Sequence, residues 1–445
     1  MAMQVRPAVA APDAPLARIS RVFPWVVFAL TFGLLLSDYM SRQVLSAVFP
    51  FLKEEWGLTD TQLGSLTSIV ALAVGVLAVP LSLVGDRWGR VRAIVVMAVV
   101  WSLATLGCAL AAGYGHLLAA RLMIGVGEAA YGSVGLAVVL AVFSARRRAS
   151  LTGAFMAAGS FGSVLGVALG GLLAVQFGWR WAFAVMGVFG LVLARPLLGT
   201  DQRAQAGRAP RRRRARHQGW RWPPGTGGPS CPRSSPPPAV IFAYVGGGLQ
   251  LFIAGSLFAW LPSYFNRAHD MAPDKAAKVA ALFILIMGAG MIVCGMITDR
   301  VGRSQPISKW TTAIVFATVT FVFLGAAFAV EPGGAQMLLL AIGCFFAAGT
   351  TGPTGAMVAR LTHESIRATA FGTLTLFNNV LGLAADPVIT GVLADRLGLA
   401  TAMRYVPLAA VAAVVLLFLG RRAYPASIRR LELAETTGAT DGGPA

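Results

Sequence analysis

Apolar stretches of about twenty residues recur along almost the whole of this sequence, each ended by a short polar turn. A helix needs about 20 mainly apolar residues to cross the hydrocarbon core of a bilayer. Read on that rule, the chain holds twelve such stretches. They lie near residues 22–50, 62–84, 91–112, 115–143, 149–176, 180–199, 239–265, 276–298, 308–330, 335–360, 368–394 and 401–421. Composition points the same way. Only 12% of the 445 residues are charged, against about 25% in soluble domains, and the mean hydropathy is +0.71. A soluble fold of this composition would expose apolar patches that soluble monomers avoid. The expected fold is an all-α polytopic membrane protein.

The formal net charge of +19 would first suggest nucleic acid, but its distribution is that of a membrane topology. With both termini and the turns after stretches 2, 4, 6, 8 and 10 on one side, that side carries 28 of the 37 Lys and Arg residues. The other side carries seven, and Arg42 and Arg121 fall inside the bilayer. Cations accumulate on the cytoplasmic side of such proteins, so both termini are expected there, in a multi-pass protein of the cell (inner) membrane. No nucleic-acid partner is implied. The polar start, 1–21, precedes an apolar run too long for a signal peptide, so the first stretch is expected to stay as an anchor.

Several chemistries lack their residues. Cys108, Cys231, Cys294 and Cys344 form no CxxC pair, and His116, His217, His269 and His363 lie in loops or at a helix edge. Neither a disulfide framework nor a metal site is implied. No Lys follows a Gly, so no phosphate loop of the G-K-[ST] kind exists. No cofactor and no enzyme activity are expected.

The chain repeats itself. After the second stretch it reads Gly85-Asp86-Arg87-Trp88-Gly89-Arg90, and after the eighth Thr298-Asp299-Arg300-Val301-Gly302-Arg303. An offset of 213 residues is close to half the chain, as two parallel six-helix repeats would give. The expected organisation is a tail at 1–21, a six-helix half at 22–194, a cytoplasmic linker at 195–238, a second half at 239–421 and a cytoplasmic tail at 422–445. The join holds ten Arg, nine Pro and one acid, Asp201. It reads as a solvated linker, as a polybasic segment on anionic headgroups, or as a frameshifted stretch of a GC-rich gene that would cut the sixth helix at Arg195-Pro196.

The run Gly295-Met-Ile-Thr-Asp299-Arg300-Val-Gly302-Arg303 resembles the signature of the major facilitator superfamily, and its first-half copy carries Ser82 in place of the leading Gly. The resemblance implies twelve helices in two halves. It also implies that Asp86, Arg87, Gly89 and Arg90, echoed by Gly295, Asp299, Arg300, Gly302 and Arg303, form a latch that holds the cytoplasmic side closed in one state. The fourth stretch reads Arg121-Leu-Met-Ile-Gly125-Val-Gly127-Glu128-Ala, and its Gly-x-Gly-Glu-Ala continuation resembles the Spinster-like branch of that superfamily.

Charges inside a bilayer cost at least about 2.5–3.5 kcal/mol each and are functional candidates by default. Arg121 and Glu128 are seven residues apart, about 10 Å along one helix face. Asp38 and Arg42 are one turn apart in the first stretch, where opposite charges can meet. The expected roles are Arg42 for an anionic group with Tyr39 beside it, Asp38 and Glu128 for protons, and Arg121 as partner of the carboxylates. Purely structural pairing is the alternative. The glycines at 162, 166, 170 and 171 suit close helix packing. The second half offers Asn378 and Asn379 to a substrate, beside Asp386-Pro387, Gln250 and Thr350-Thr351.

The expectation is a secondary transporter, proton-coupled as the resemblance implies, that moves an amphipathic or anionic, lysolipid-like molecule by alternating access. Its partners would be that substrate, protons and the lipid bilayer, with the protein acting as a monomer. An organic-anion symporter, a drug exporter and a membrane sensor are the alternatives.

Overall fold

The structure is a computed structural model and describes residues 23–143, 148–206, 237–303, 305–362 and 367–440. All its regular elements are helices. Eleven are long and apolar enough to cross a membrane among the described residues. They are α1 Phe23–Trp56, α2 Asp60–Trp88, α3 Arg90–Ala109, α5 Arg148–Phe177, α6 Trp179–Ala206, α7 Pro238–Ala268, α8 Pro273–Val301 and α9 Ser308–Ala329, then α10 (334–361), α11 (367–397) and α12 (399–440). The fourth stretch takes its place as α4 (114–142), split into Tyr114–Glu128 and Tyr131–Val142 by a turn at Ala129-Ala130. Twelve membrane helices in two sets of six result.

Two helices outrun their expected ends. α6 passes through Pro196 to Ala206 instead of ending near 199, because membrane helices tolerate proline and Asp201–Ala206 continue in helix-compatible residues. α12 runs on to Thr440 instead of stopping at 421, since the Leu, Arg, Ala and Glu beyond Arg421 are good helix formers. The tail 1–21, linker residues 207–236 and the last five residues lie outside the described residues, as do the alternative readings of that linker.

The turns follow from local chemistry. Thr59 caps α2 in a capping box with Gln62, which satisfies two of the amide donors a helix start leaves free. Pro238 and Pro273 open α7 and α8, where a missing N–H costs nothing. Gly89 joins α2 to α3 at φ +98°, a conformation glycine adopts readily. Its counterpart Gly302 has φ −75° and is small for another reason: a Cβ there would stand 2.5 Å from the Lys309 side chain.

Within the first half α1 packs on α5, and α3 packs on α6 and on the first piece of α4. Within the second, α7 packs on α12, and α9 on α10. The halves meet where α2 lies along α11, α5 along α8 and α1 against α7. Helices alternate in direction. One end of the bundle, the linker end, therefore carries the join between halves and the two motif turns. The far end carries the turns after α1, α3, α5, α7, α9 and α11.

Candidate transport site and gate

Four charges meet in the first half, three of them buried and Arg42 partly exposed. α1 contributes Asp38 and Arg42, and α4 contributes Arg121 and Glu128. Glycines set their spacing. A Cβ on Gly162 of α5 would stand 2.5 Å from the Leu36 carbonyl, and one on Gly166 would stand 2.8 Å from the Met40 Cα. α1 and α5 therefore touch backbone to backbone, as the four-residue glycine spacing predicts. Gly125 does the same for α4 against Val70 and Ala73 of α2.

The pairing differs from the expected one. Arg42 Nε donates to Glu128 Oε2 at 2.5 Å and lies 3.7 Å from Asp38 Oδ1, so one guanidinium holds both acids. Each acid keeps a buried oxygen without a hydrogen-bond partner, Asp38 Oδ1 and Glu128 Oε1. Arg121 is 1% exposed and bonds to backbone: Nε to the Leu66 carbonyl at 3.1 Å, Nη1 to Ser41 at 3.0 Å and Nη2 to Arg42 at 3.4 Å. Expected as the carboxylates' partner, Arg121 instead ties α4 to the carbonyls of α1 and α2. The reason is reach. Seven residues along α4 separate Arg121 from Glu128, whereas α1 and α2 pack directly over its guanidinium. Carbonyl oxygens of a helix retain a second lone pair for such donors.

The Tyr39 ring lies 5.7 Å from the Arg42 guanidinium and would meet a Cβ on Gly159 at 3.0 Å. It walls the site and fills the gap beside α5. Asn378 and Asn379 stand apart from the charges. Asn379 donates to the Thr375 carbonyl at 2.9 Å, and its Cβ is 2.9 Å from where a Gly75 Cβ would be; it packs α11 on α2. Asn378, at the start of a π-helical segment, Asn378–Ala384, keeps a buried Oδ1 without a partner.

Composition and spacing did not disclose the gate at the far end. Asp60, 3% exposed, opens α2. Arg267 of α7 clamps its carboxylate through Nη1 at 2.8 Å and Nη2 at 2.7 Å, and Lys53 of α1 adds a third contact at 2.8 Å. Asp395 of α11 accepts from the amides of Asp60 and Thr61 and from the Thr61 hydroxyl, at 2.7, 2.9 and 2.6 Å. A buried pair with bidentate geometry holds well where both partners are satisfied. Below it, a Cβ on Gly64 would lie 2.0 Å from the Pro387 carbonyl, and the rings of Phe49 and Trp260 meet at 5.3 Å. Asp60 and Asp395 stand beside turns in the sequence, 335 positions apart, and only the fold brings them together.

At the linker end, Arg87, Gly89, Asp299, Arg300 and Arg303 are exposed and Gly295 has open space where a Cβ would be. The side chains of Asp86 and Arg90 lie outside the described residues. Among the described residues, no group of three His, Cys, Asp or Glu gathers as metal ligands would.

Residues 31–347 match the family model of the Major Facilitator Superfamily. The chain is 25% identical over 85% of its length to a probable L-galactonate transporter of Escherichia coli (strain K12), covering 84% of that protein. It is 22% identical over 84% of its length to protein spinster homolog 1 of Xenopus laevis, covering 73% of it. In fold it matches a bacterial homolog of the human lysosomal transporter Spinster, in an inward-facing and occupied conformation. The TM-score is 0.78 at 19% identity, over 92% of this chain and 99% of that one. A twelve-helix bundle of two repeated halves, with charges buried at its centre, thus meets a match over most of its length: the chain belongs to the major facilitator superfamily and is a Spinster-like membrane transporter.

Proposed function

We propose that the protein is a proton-coupled transporter of organic anions that works by alternating access, with the linker end and both termini in the cytoplasm of the cell membrane. The observation that carries this reading is the single Arg42 guanidinium between Asp38 and Glu128. With Arg121 held by backbone carbonyls, two ionised acids share one contacting base, and a buried carboxylate short of a partner is costly. A proton on either acid removes that cost. An anionic substrate that takes Arg42 frees a carboxylate, and a freed buried carboxylate binds a proton. Anion and proton then move together.

The closed far end supports reading this conformation as inward-facing, as does the fold likeness to an inward-facing relative. The positive-inside bias supports the orientation. The likeness to a probable L-galactonate transporter favours a second reading, a sugar acid.

Purified protein in proteoliposomes tests both readings, with a pH gradient and a panel of lysolipids, organic acids including galactonate, and dyes. The expected result is gradient-driven accumulation of one anionic class, abolished by Arg42→Ala. Asp38→Asn and Glu128→Gln should equilibrate substrate without concentrating it. If the two acid variants, singly and together, still concentrate substrate along a pH gradient, the coupling assignment fails.

A further inference from the structure

Among its described residues the second half holds one buried acid, which the charged cluster does not use. Asp386 of α11 is 0% exposed. Its Oδ1 accepts from the Ser256 hydroxyl of α7 and, at 3.1 Å, from the Thr390 hydroxyl; those two hydroxyl oxygens are 3.0 Å apart. Its Oδ2 is buried without a hydrogen-bond partner and faces Gly255, where a Cβ would stand 2.9 Å away. Among the described residues, no cation pairs with it. On the far-end halves of the helices packed against this site, α2, α7, α11 and α12, the charged groups are Asp60, Arg267, Asp395, Arg396 and Arg404; the remaining charges of these helices lie toward the linker end. Asp60, Arg267 and Asp395 are engaged with one another's helices at the far end. Arg404 donates to the Phe328 carbonyl, and Arg396 is exposed. The tyrosines of α7 point elsewhere, Tyr244 to the Ala370 carbonyl and Tyr264 to Gln336.

Both hydroxyls donate to one carboxylate oxygen, which leaves Oδ2 without a partner. An ionised acid here would carry the cost of an unpaired buried charge, and a proton on Oδ2 removes that cost.

We infer that Asp386, with Ser256 and Thr390, is a second proton-binding site, located in the second half, whose occupancy holds the far-end gate shut. The next residue, Pro387, presents its carbonyl to Gly64 of α2, so the acid sits directly behind the α2–α11 contact. Parting those helices would open this enclosed acid to water. Linkage is reciprocal. If opening favours loss of the proton, the proton favours closure.

This goes beyond the coupling proposed for Asp38 and Glu128, and its test neutralises both of those acids first. In the full-length Asp38→Asn/Glu128→Gln protein, Ser68→Cys reports the gate. Ser68 is buried one turn from Gly64 on α2. Labelling by a membrane-impermeant thiol reagent from the far side is normalised to the same reaction at Asp270→Cys, which is exposed.

The expected result is a several-fold rise in normalised labelling from mildly acidic to alkaline buffer. Asp386→Asn should abolish that rise and leave labelling low. Ser256→Ala/Thr390→Val, which removes two donors to the ionised form, should move the midpoint to higher pH and covers the case in which Asp386→Asn fails to fold. A flat profile before Asp386 is changed, a rise that survives Asp386→Asn, or an unmoved midpoint overturns the inference. Substrate accumulation by the Asp38→Asn/Glu128→Gln background, measured separately, reports on the first site alone.

Discussion

Asp395 of the second half caps the helix that begins at Asp60 in the first, accepting the Asp60 and Thr61 amides at 2.7 and 2.9 Å. The cap exists only while the far end is closed. Losing an N-cap costs about 1 kcal/mol, so Asp395→Ala should lower the ratio of closed to open gate by about fivefold. Thiol labelling at Ser68→Cys in an otherwise unchanged transporter reads this directly. Unchanged labelling would mean that the cap is idle.

Gly64 should tolerate nothing larger. The Cβ of Gly64→Ala would have to sit 2.0 Å from the Pro387 carbonyl, a backbone atom that cannot rotate away. Overpacking of this kind costs about 1–3 kcal/mol, enough to hold the gate open in most molecules. The variant is expected to insert normally and to lose transport while Ser68→Cys labels freely. Normal transport would show that α2 and α11 separate or slide here without cost.

Arg121 should be a structural residue. Arg121→Lys replaces a planar fork with a single ammonium, which cannot serve the Leu66, Ser41 and Arg42 carbonyls together. A loss of about 2–3 kcal/mol is expected from hydrogen bonds made by a charged group, seen as a lower melting temperature of the purified protein. Were Arg121 instead the coupling partner, Arg121→Lys would melt as wild type and respond differently to a pH gradient.

Sidedness is open to the same chemistry. A cysteine at Arg303 should label only from the cytoplasm and one at Asp270 only from outside. Both residues are exposed, at opposite ends of α8 and the turn before it. Labelling of both from one side would break the twelve-helix arrangement.

The motif turns should act only in the other state. Asp299 is exposed in this conformation, so Asp86→Asn/Asp299→Asn should leave far-end closure as it is and slow transport by weakening closure of the linker end. Full transport in that variant would reduce the motif to topology.

Sequence reading reached some of this and missed the rest for physical reasons. Apolar length and positive charge act locally, and they disclosed the helices and their alternation. Glycine spacing foretold that α5 would lie on a neighbour, and the structure supplies α1 as that neighbour. Partnership was another matter. Arg42 reaches Glu128 across 86 positions of sequence, and Arg121 turns to carbonyls that no side-chain pattern advertises. Asp386 was visible beside its proline, but Ser256 and Thr390 looked like ordinary small polar residues of membrane helices. The split of α4 fell between two alanines, which carry no break signal of their own. Tertiary packing chose it, with Tyr131 anchored to the Thr31 carbonyl at 2.7 Å.

The clamp on Asp60 draws one base from each half, and the two behave differently when the halves separate. Arg267 leaves with the second half, whereas Lys53, seven positions before Asp60 in the same half, remains. The acid is never stripped bare. An exposed pair of this kind is worth less than about 1 kcal/mol in water, yet it spares the open gate an orphaned charge. A lock in which the departing key leaves a spare behind can be turned many times, and a transporter must turn its lock once in every cycle.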